Sequence, residues 1–363
     1  MKVTLVTTLE RGGPVEHARL LARELVAAGA VVRAIATSEA VAEALAAAGA
    51  EPVVVRSQAR LDPRAVARVR GAGRDVDVVH SHDRRSALWT LAAPRPSGGA
   101  ARVHTLHGLP DAYLPIPGRP RRAGLRDHVA HRIVEGRLVG RAEALAVPSQ
   151  ATLDRATALG YRTARAVVVP NGVEVGGALP RPLGTAVGML AALEPVKGVD
   201  VFLRAAALLH PRDPSLRFVV FGSGSQLGAL EDQARRSGLA DVVRFAGPVP
   251  TALALAQLRV VVVSSHYEST PLVGLEAMAA GIPLVATRVG GVPEMAPPDA
   301  LVLVPPDDAA ALADAIGATL LDTEAAEARA QRARRHVVAE RSAAATARAT
   351  EAVYRVALDR RGR

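Results

Sequence analysis

The fold is indicated most clearly by residues 261–291, VVVSSHYESTPLVGLEAMAAGIPLVATRVGG. This stretch begins with the β-branched run VVVSS and returns to a similar run at PLVAT, and both are typical of buried strands. Between them, PLVGLEAMAA is predicted to be helical, with Thr270 as the cap, Pro271 in the first turn and Gly281 after the last. A strand, a helix and a second strand in this order predict two parallel strands joined by a crossover helix.

The same alternation extends along most of the chain, and the Pro- and Gly-rich run PNGVEVGGALPRPLGT (170–185) interrupts it once. Two such series predict an α/β protein with two Rossmann-like, doubly wound domains that face a cleft. We predict the domains at 1–175 and 176–340, with 341–363 as a closing helix that packs back on the first domain. Ligands are expected in the strand-to-helix loops, because open parallel sheets bind ligands beyond the carboxyl ends of their strands.

The amino-acid composition argues against several classes of function. The 363 residues are 49% hydrophobic and 22% charged, as in folded proteins, and they include no cysteine. Disulfides, thiolate metal sites and cysteine nucleophiles are therefore excluded. Aromatic residues make up only 2%, which argues against a module that stacks nucleic-acid bases. The sequence shows neither a secretory signal nor a membrane-spanning run, so a cytoplasmic location is expected.

Two carboxylates in the opening stretch, Glu268 and Glu276, suggest a ligand. The predicted helix starts between them, and its N-terminus carries unpaired N–H groups and a partial positive charge that stabilise a phosphate. Carboxylates near this phosphate could accept hydrogen bonds from the hydroxyls of a sugar and of a ribose. The pattern therefore suggests a nucleotide-sugar site, and two solvated acids are the plainer alternative.

The run E-STPLVGL-EAMAAGIPLVAT closely resembles the donor-binding signature of the retaining family-4 glycosyltransferases. Other segments extend the resemblance along the chain: Gly12-Gly13 in the first strand-to-helix loop, the PNGV turn at 170–173, Lys197-Gly198, and FVVFGSGSQLGALE at 218–231. The resemblance implies the GT-B fold, an acceptor-binding first domain and a nucleotide-sugar-binding second domain. It also implies retention of anomeric configuration and no metal or other cofactor.

The resemblance also implies site residues. Lys197 would neutralise the diphosphate, Glu268 would contact the sugar, and His107, in a Thr-x-His-Gly run, would bond a sugar hydroxyl or position the acceptor. The catalytic set is Glu268, His107 and Lys197. The donor-binding set is Gly12, Gly13, Lys197, Glu268, Thr270, Pro271, Leu272, Val273 and Glu276. His82 ends a strand and is expected to help shape the site, whereas packing or solvent is expected for His17.

One position departs from the family pattern. Where the family has an Arg that contacts the diphosphate, this chain has Ala192. Loss of that charge should weaken donor binding unless another arginine replaces it, and Arg288 and Arg11 are the candidates by sequence order. A nucleotide-sugar-binding protein without turnover therefore stays open. A sugar-nucleotide epimerase of the same architecture is a closer rival, and a two-carboxylate glycoside hydrolase explains less of the pattern.

Partners follow from the charge and from the resemblance. The formal charge is +10, and of 45 basic residues only Lys2 and Lys197 are lysines. The Arg-rich segment 118–143 is either a solvated face or a contact with an anionic membrane, which would suit a lipid-linked acceptor at the inner face of the membrane. Nucleic acid is not expected, because no recognition motif accompanies the charge. The His-x-His pair at 80–82 lacks further ligands at zinc spacing, so no metal is expected.

Overall fold

The computed structural model describes residues 1–57, 59, 62–92, 99–110, 114, 116, 129, 135–177 and 184–361. They divide into two compact units. One unit holds most of the described residues before Glu174 together with those after Glu340, and the second holds those from Glu174 to Glu340. The Arg-rich segment 118–143 lies mostly outside the described residues.

The first unit contains a seven-stranded sheet in which all neighbouring strands are parallel. The strand order is β3-β2-β1-β4-β5-β6-β7. The strands are β1 (Lys2–Val6), β2 (Val31–Ala36), β3 (Glu51–Val54), β4 (Val78–Ser81), β5 (Ala101–Thr105), β6 (Ala144–Val147) and β7 (Ala166–Val168).

Helices connect these strands. They are α1 (Gly13–Ala27), α2 (Glu39–Ala47), α3 (Pro63–Ala72), α4 (Arg84–Leu91), α5 (Gly136–Val139) and α6 (Gln150–Ala158). The last helix of the chain, α13 (Ala343–Arg361), belongs to this unit and packs on α1, β5 and β6. Its Tyr354 is fully buried among the apolar side chains that α1 and the strands contribute to the core.

The second unit contains a six-stranded sheet, also parallel throughout, in the order β10-β9-β8-β11-β12-β13. The strands are β8 (Ala186–Leu190), β9 (Phe218–Phe221), β10 (Val243–Gly247), β11 (Leu258–Val263), β12 (Leu284–Thr287) and β13 (Val302–Val304). The helices are α7 (Val199–Leu209), α8 (Leu227–Arg236), α9 (Thr251–Leu255), α10 (Leu272–Ala279), α11 (Ala309–Leu321) and α12 (Thr323–Glu340), with 3-10 turns at Pro195–Lys197, Val292–Glu294 and Pro298–Ala300.

The structure confirms the α/β class and the two doubly wound sheets. Central strands such as β4 and β12 are buried along their whole length, as expected when helices cover both faces of a parallel sheet. In the first unit the strand order reverses between β1 and β4, and in the second between β8 and β11. Loops that leave such adjacent strands in opposite directions open a crevice at the carboxyl edge of the sheet, where ligands bind.

Candidate functional site

The loop that carries Lys197 leaves β8 at the switch point of the second unit. A 3-10 turn, Pro195–Lys197, ends at Gly198, which has a φ of 61°. A Cβ on Gly198 would lie 2.1 Å from the carbonyl oxygen of Ser264, so only glycine fits both the backbone conformation and the space. Ser264 Oγ donates to the Gly198 carbonyl at 2.8 Å. These contacts fix the lysine loop against the end of β11.

The carboxylate that faces this lysine comes from the loop after β11. Lys197 Nζ lies 2.6 Å from Glu268 Oε1, and Ser265 Oγ donates to the same oxygen at 2.8 Å. The Glu268 residue is only 9% exposed. A carboxylate buried to this degree requires a partner, and here a cation and a hydroxyl supply it. The structure thus brings together two residues that lie 71 positions apart in the sequence.

The backbone of Glu268 is held from a third loop, the one after β12. Gly291 N donates to the Glu268 carbonyl oxygen at 3.1 Å. Gly290 has a φ of 47°, and a Cβ there would lie 1.8 Å from that carbonyl oxygen. The glycine pair at 290–291 is therefore needed to let the loop approach Glu268 this closely.

Helix α10 begins directly after Glu268. Pro271 is its N-cap residue, and the Pro271 carbonyl accepts hydrogen bonds from the amides of Gly274 and Leu275. The amides of Leu272 and Val273 thus precede the first hydrogen bonds of the helix, where an anion is stabilised. Glu276 follows in the second turn and is half-buried. The helix ends before Gly281, which has a φ of 76°, as the sequence predicts.

The predicted cap of this helix is wrong. The hydroxyl of Thr270 donates to the carbonyl of Ser269 at 2.7 Å, and no side chain caps α10 at its N-cap residue. Pro271 takes the N-cap position because its fixed φ of −70° suits the extended backbone there. The amides at the start of α10 thus remain available to a ligand.

In the first unit, the predicted glycine pair lies at the start of α1. Gly12 is its N-cap with a φ of 104°, and Gly13 is its first residue. A Cβ on Gly12 would meet only Pro14, at 3.9 Å. The glycine is thus required by the backbone conformation rather than by crowding, and both residues are exposed.

His107 lies beside two other histidines of the same unit. Its Nε2 lies 3.3 Å from His82 Nδ1, and its ring centroid lies 4.8 Å from that of His17. His17 comes from α1, His82 follows β4 and His107 follows β5. His17 and His82 are buried and His107 is half-buried. We call these three residues the histidine cluster.

Two further buried histidines form hydrogen bonds outside this cluster. His80 contacts the Tyr354 hydroxyl through Nδ1 at 2.8 Å and the Thr105 hydroxyl through Nε2 at 2.7 Å. His104 Nδ1 contacts the Ser81 hydroxyl and the Ser81 carbonyl, each at 3.0 Å. His104 is only 2% exposed.

Burial controls the protonation of all five histidines. Desolvation lowers the pKa of His17 to about 4, although a side-chain hydrogen bond with Asn171 acts in the opposite direction. Desolvation likewise lowers the pKa of His80, His82, His104 and His107. The imidazoles are therefore neutral at pH 7 and offer lone pairs as well as N–H groups.

The proximity of His17 was missed by sequence reasoning. Spacing along the chain indicates no further metal ligands, but the fold brings together residues from α1 and from the ends of β4 and β5. The usable signal was the position of His17 one turn after the Gly12-Gly13 loop, at the carboxyl end of β1 beside β4.

Ala192 is exposed just after β8, and Arg288 is exposed just after β12 in the same unit, whereas Arg11 belongs to the first unit.

Family models match both units. The model described as Glycosyltransferase Family 4 matches residues 11–176, and the model described as Glycosyl transferases group 1 matches residues 182–322. No helix in the described part of the chain combines the length and the apolar character that crossing a membrane requires.

Curated relatives agree with these models. D-inositol 3-phosphate glycosyltransferase of Actinosynnema mirum is 35% identical in an alignment of 274 positions that covers 66% of this chain and 60% of the relative. Glycogen synthase of Mycobacterium tuberculosis is 31% identical in an alignment of 290 positions that covers 77% of this chain and 68% of the relative. The chain thus spans about 60–70% of the length of these relatives.

Solved structures share the fold over nearly the whole chain. Anabaena Alr3699/HepE, crystallised with UDP-glucose, has a TM-score of 0.81 at 21% identity and covers 97% of this chain and 98% of its own. Sucrose-phosphate synthase from Thermosynechococcus elongatus has a TM-score of 0.79 at 21% identity, with 98% of each chain covered. From the matched models and relatives, the chain belongs to the family-4 glycosyltransferases of glycosyl transferases group 1.

Proposed function

We propose that the chain is a retaining glycosyltransferase that moves a sugar from a nucleotide-sugar donor to a hydroxyl acceptor. The observation that supports this most is the 2.6 Å pair between Lys197 Nζ and Glu268 Oε1, which lies just before the N-terminus of α10. A cation, free helix amides and a carboxylate in adjacent loops match the groups of a sugar diphosphate.

The donor would bind by exchanging partners within this loop cluster. Lys197 would turn from Glu268 to the diphosphate, which would also accept hydrogen bonds from the amides of Leu272 and Val273. Glu268 would then accept a hydrogen bond from a sugar hydroxyl, and Glu276 would accept one from the ribose. Gly12 and Gly13 would allow close backbone approach to the phosphate, because neither carries a Cβ.

The proposed reaction retains the anomeric configuration. The acceptor oxygen would form its bond to the anomeric carbon on the face that the diphosphate leaves, and a phosphate oxygen of the leaving group would take the acceptor proton. Lys197 and the α10 amides would stabilise the negative charge that develops on the diphosphate. His107 would bond a sugar hydroxyl or position the acceptor. The chemistry as proposed needs no metal ion.

The nature of the substrates is also a proposal. UDP-glucose is the first donor to test, because HepE was crystallised with it. The acceptor would be a lipid-linked or polysaccharide hydroxyl, and segment 118–143 would contact an anionic membrane on its cytoplasmic side. A binding protein without turnover is the second candidate, because the position where the family places an arginine holds Ala192.

A two-step experiment tests the proposal. A thermal-shift panel of UDP-, GDP- and ADP-sugars identifies the donor, because a ligand selective for the native state raises its melting temperature. NMR of the product then gives its anomeric configuration, which should equal that of the donor. An inverted product would contradict the mechanism. Binding without hydrolysis or transfer would favour the binding protein, and a nucleotide-sugar product formed without acceptor would favour the epimerase.

A further inference from the structure

We infer that the histidine cluster, His17, His82 and His107, forms a binding site for a transition-metal ion of the zinc class. One ring nitrogen from each residue lies within 4.8 Å of those of the other two. The three side chains come from a helix and from two strand ends of one unit. The inference concerns the binding of the metal itself and does not depend on the proposed glycosyl transfer.

The distances fit tetrahedral coordination by imidazole. Two nitrogens at 2.0–2.1 Å from Zn²⁺ and at a tetrahedral angle lie about 3.4 Å apart. His82 Nδ1 and His107 Nε2 are 3.3 Å apart, which is close to the separation that two ligands of one tetrahedral ion require. All other separations in the cluster are at most 4.8 Å, so they exceed this value by no more than about 1.4 Å.

Hydrogen bonding distinguishes His82 and His107 from the neighbouring His80 and His104. Both ring nitrogens of His80 are engaged, by Tyr354 and by Thr105, and His104 is held by Ser81. By contrast, within the residues that the structure describes, His82 Nε2 is buried without a hydrogen-bond partner, and His82 Nδ1 faces only another imidazole. A cation between the lone pairs of His82 Nδ1 and His107 Nε2 would take the place of this contact between the two imidazoles.

The ligand set also indicates the class of metal. Three neutral imidazoles suit Zn²⁺, Cu²⁺ or Ni²⁺ rather than Mg²⁺ or Ca²⁺, which prefer oxygen ligands. Three protein ligands leave a fourth tetrahedral position for water. The second group of possible ligands in the described chain, Asp200, His266 and Asp307, is a weaker candidate, because Arg204 already pairs with both aspartates.

Metal binding would oppose the proposed transfer rather than support it. A bound ion would hold His107, which the proposed function assigns to a sugar or acceptor hydroxyl, so Zn²⁺ should inhibit turnover. The two proposals fail separately, because metal binding is measured without donor or acceptor. If the metal-free chain shows no transfer activity with any donor and acceptor, that result counts against the proposed function and not against the metal site.

Cobalt is the probe, because tetrahedral Co²⁺ absorbs visible light far more strongly than Co²⁺ in water. The full chain, without an affinity tag and treated with EDTA, is desalted and titrated with Co²⁺. We expect a strong visible band that saturates at one equivalent and disappears when Zn²⁺ is added. A wild-type chain that produces no such band overturns the inference.

Variants locate the site. His107→Gln should weaken Co²⁺ binding at least about 100-fold, beyond the range measured for second-shell changes, and His82→Gln should do the same. The matched controls His210→Gln and His336→Gln, in the second unit, should bind like the wild type. Because His107 is half-buried, its variant should keep the wild-type circular dichroism spectrum and remain testable. Unchanged Co²⁺ binding by a folded His107→Gln chain overturns the inference.

Discussion

Replacement of Gly290 by alanine tests how the second unit holds Glu268. Gly290 has a φ of 47°, and a Cβ there would lie 1.8 Å from the Glu268 carbonyl oxygen. The left-handed conformation alone costs an L-residue about 1–2 kcal/mol. An ordinary contact of a Cβ is 3.4–4 Å, so one loop must move by more than 1 Å. Overpacking of this kind costs a further ~2 kcal/mol.

A matched control separates these two contributions to the free energy of unfolding. Gly281 also has a positive φ, of 76°, but the atoms nearest to its Cβ position are side-chain atoms of Arg334 and Gln331 at 3.6 Å. Gly281→Ala therefore carries the conformational cost, about 1 kcal/mol, without the collision. Gly290→Ala should cost about 3–4 kcal/mol.

Calorimetry measures the difference. A destabilisation of 1 kcal/mol lowers the melting temperature of a domain of this size by about 2–4 °C. Gly281→Ala should thus lower the transition of the second unit by about 3 °C and Gly290→Ala by about 10 °C. Gly290→Ala should also weaken nucleotide-sugar binding, because the Glu268 loop moves. If the two variants melt within 2 °C of each other, the reasoning about this contact is wrong.

Three further predictions follow. Lys197→Ala should reduce kcat/KM about 100-fold or more, the effect of losing one hydrogen-bond donor to the transition state in other enzymes, whereas the control Lys2→Ala should keep the wild-type value. Equal kcat/KM values for the two variants in steady-state assays would remove Lys197 from the site. With metal removed by EDTA, the free energy of unfolding should fall as the pH drops from 6.5 to 4. In the unfolded state His17 gains a proton near pH 6.5, whereas in the folded state its pKa of about 4 keeps it neutral until lower pH. This loss is about 3 kcal/mol for His17 alone, so unfolding free energies that stay flat over this range would contradict its burial. Tyr354→Phe should lower stability by about 1–3 kcal/mol, because His80 Nδ1 loses its partner; calorimetry of the first unit measures this loss, and an unchanged melting temperature would show that the hydrogen bond is dispensable.

The sequence predicts the strands and helices of this chain well for a physical reason. Parallel strands buried on both faces read as continuous β-branched runs, as at β11 and β12, and the helices between them end at glycines such as Gly281. The Lys197 and Glu268 loops could also be placed, because loops after adjacent strands at a switch point meet at one edge of a sheet.

The parts that could not be predicted depend on contacts between distant segments. The position of His17 one turn after the Gly12-Gly13 loop places it at the carboxyl end of β1, but only the strand order of the folded sheet brings that end beside His82 and His107. The close approach of Gly290 to the Glu268 carbonyl is likewise invisible until the loop after β12 is folded against the loop after β11. The predicted Thr270 cap was wrong because capping propensity is a local preference, and here Pro271 fixes the backbone that precedes the helix.

A crystal structure of the chain with its nucleotide sugar would show which groups bind the diphosphate. We expect Lys197 Nζ and the amides of Leu272 and Val273 to lie within hydrogen-bond distance of the diphosphate. We also expect Glu268 to accept a hydrogen bond from a sugar hydroxyl. A diphosphate bound elsewhere, with Lys197 still paired to Glu268, would contradict this expectation.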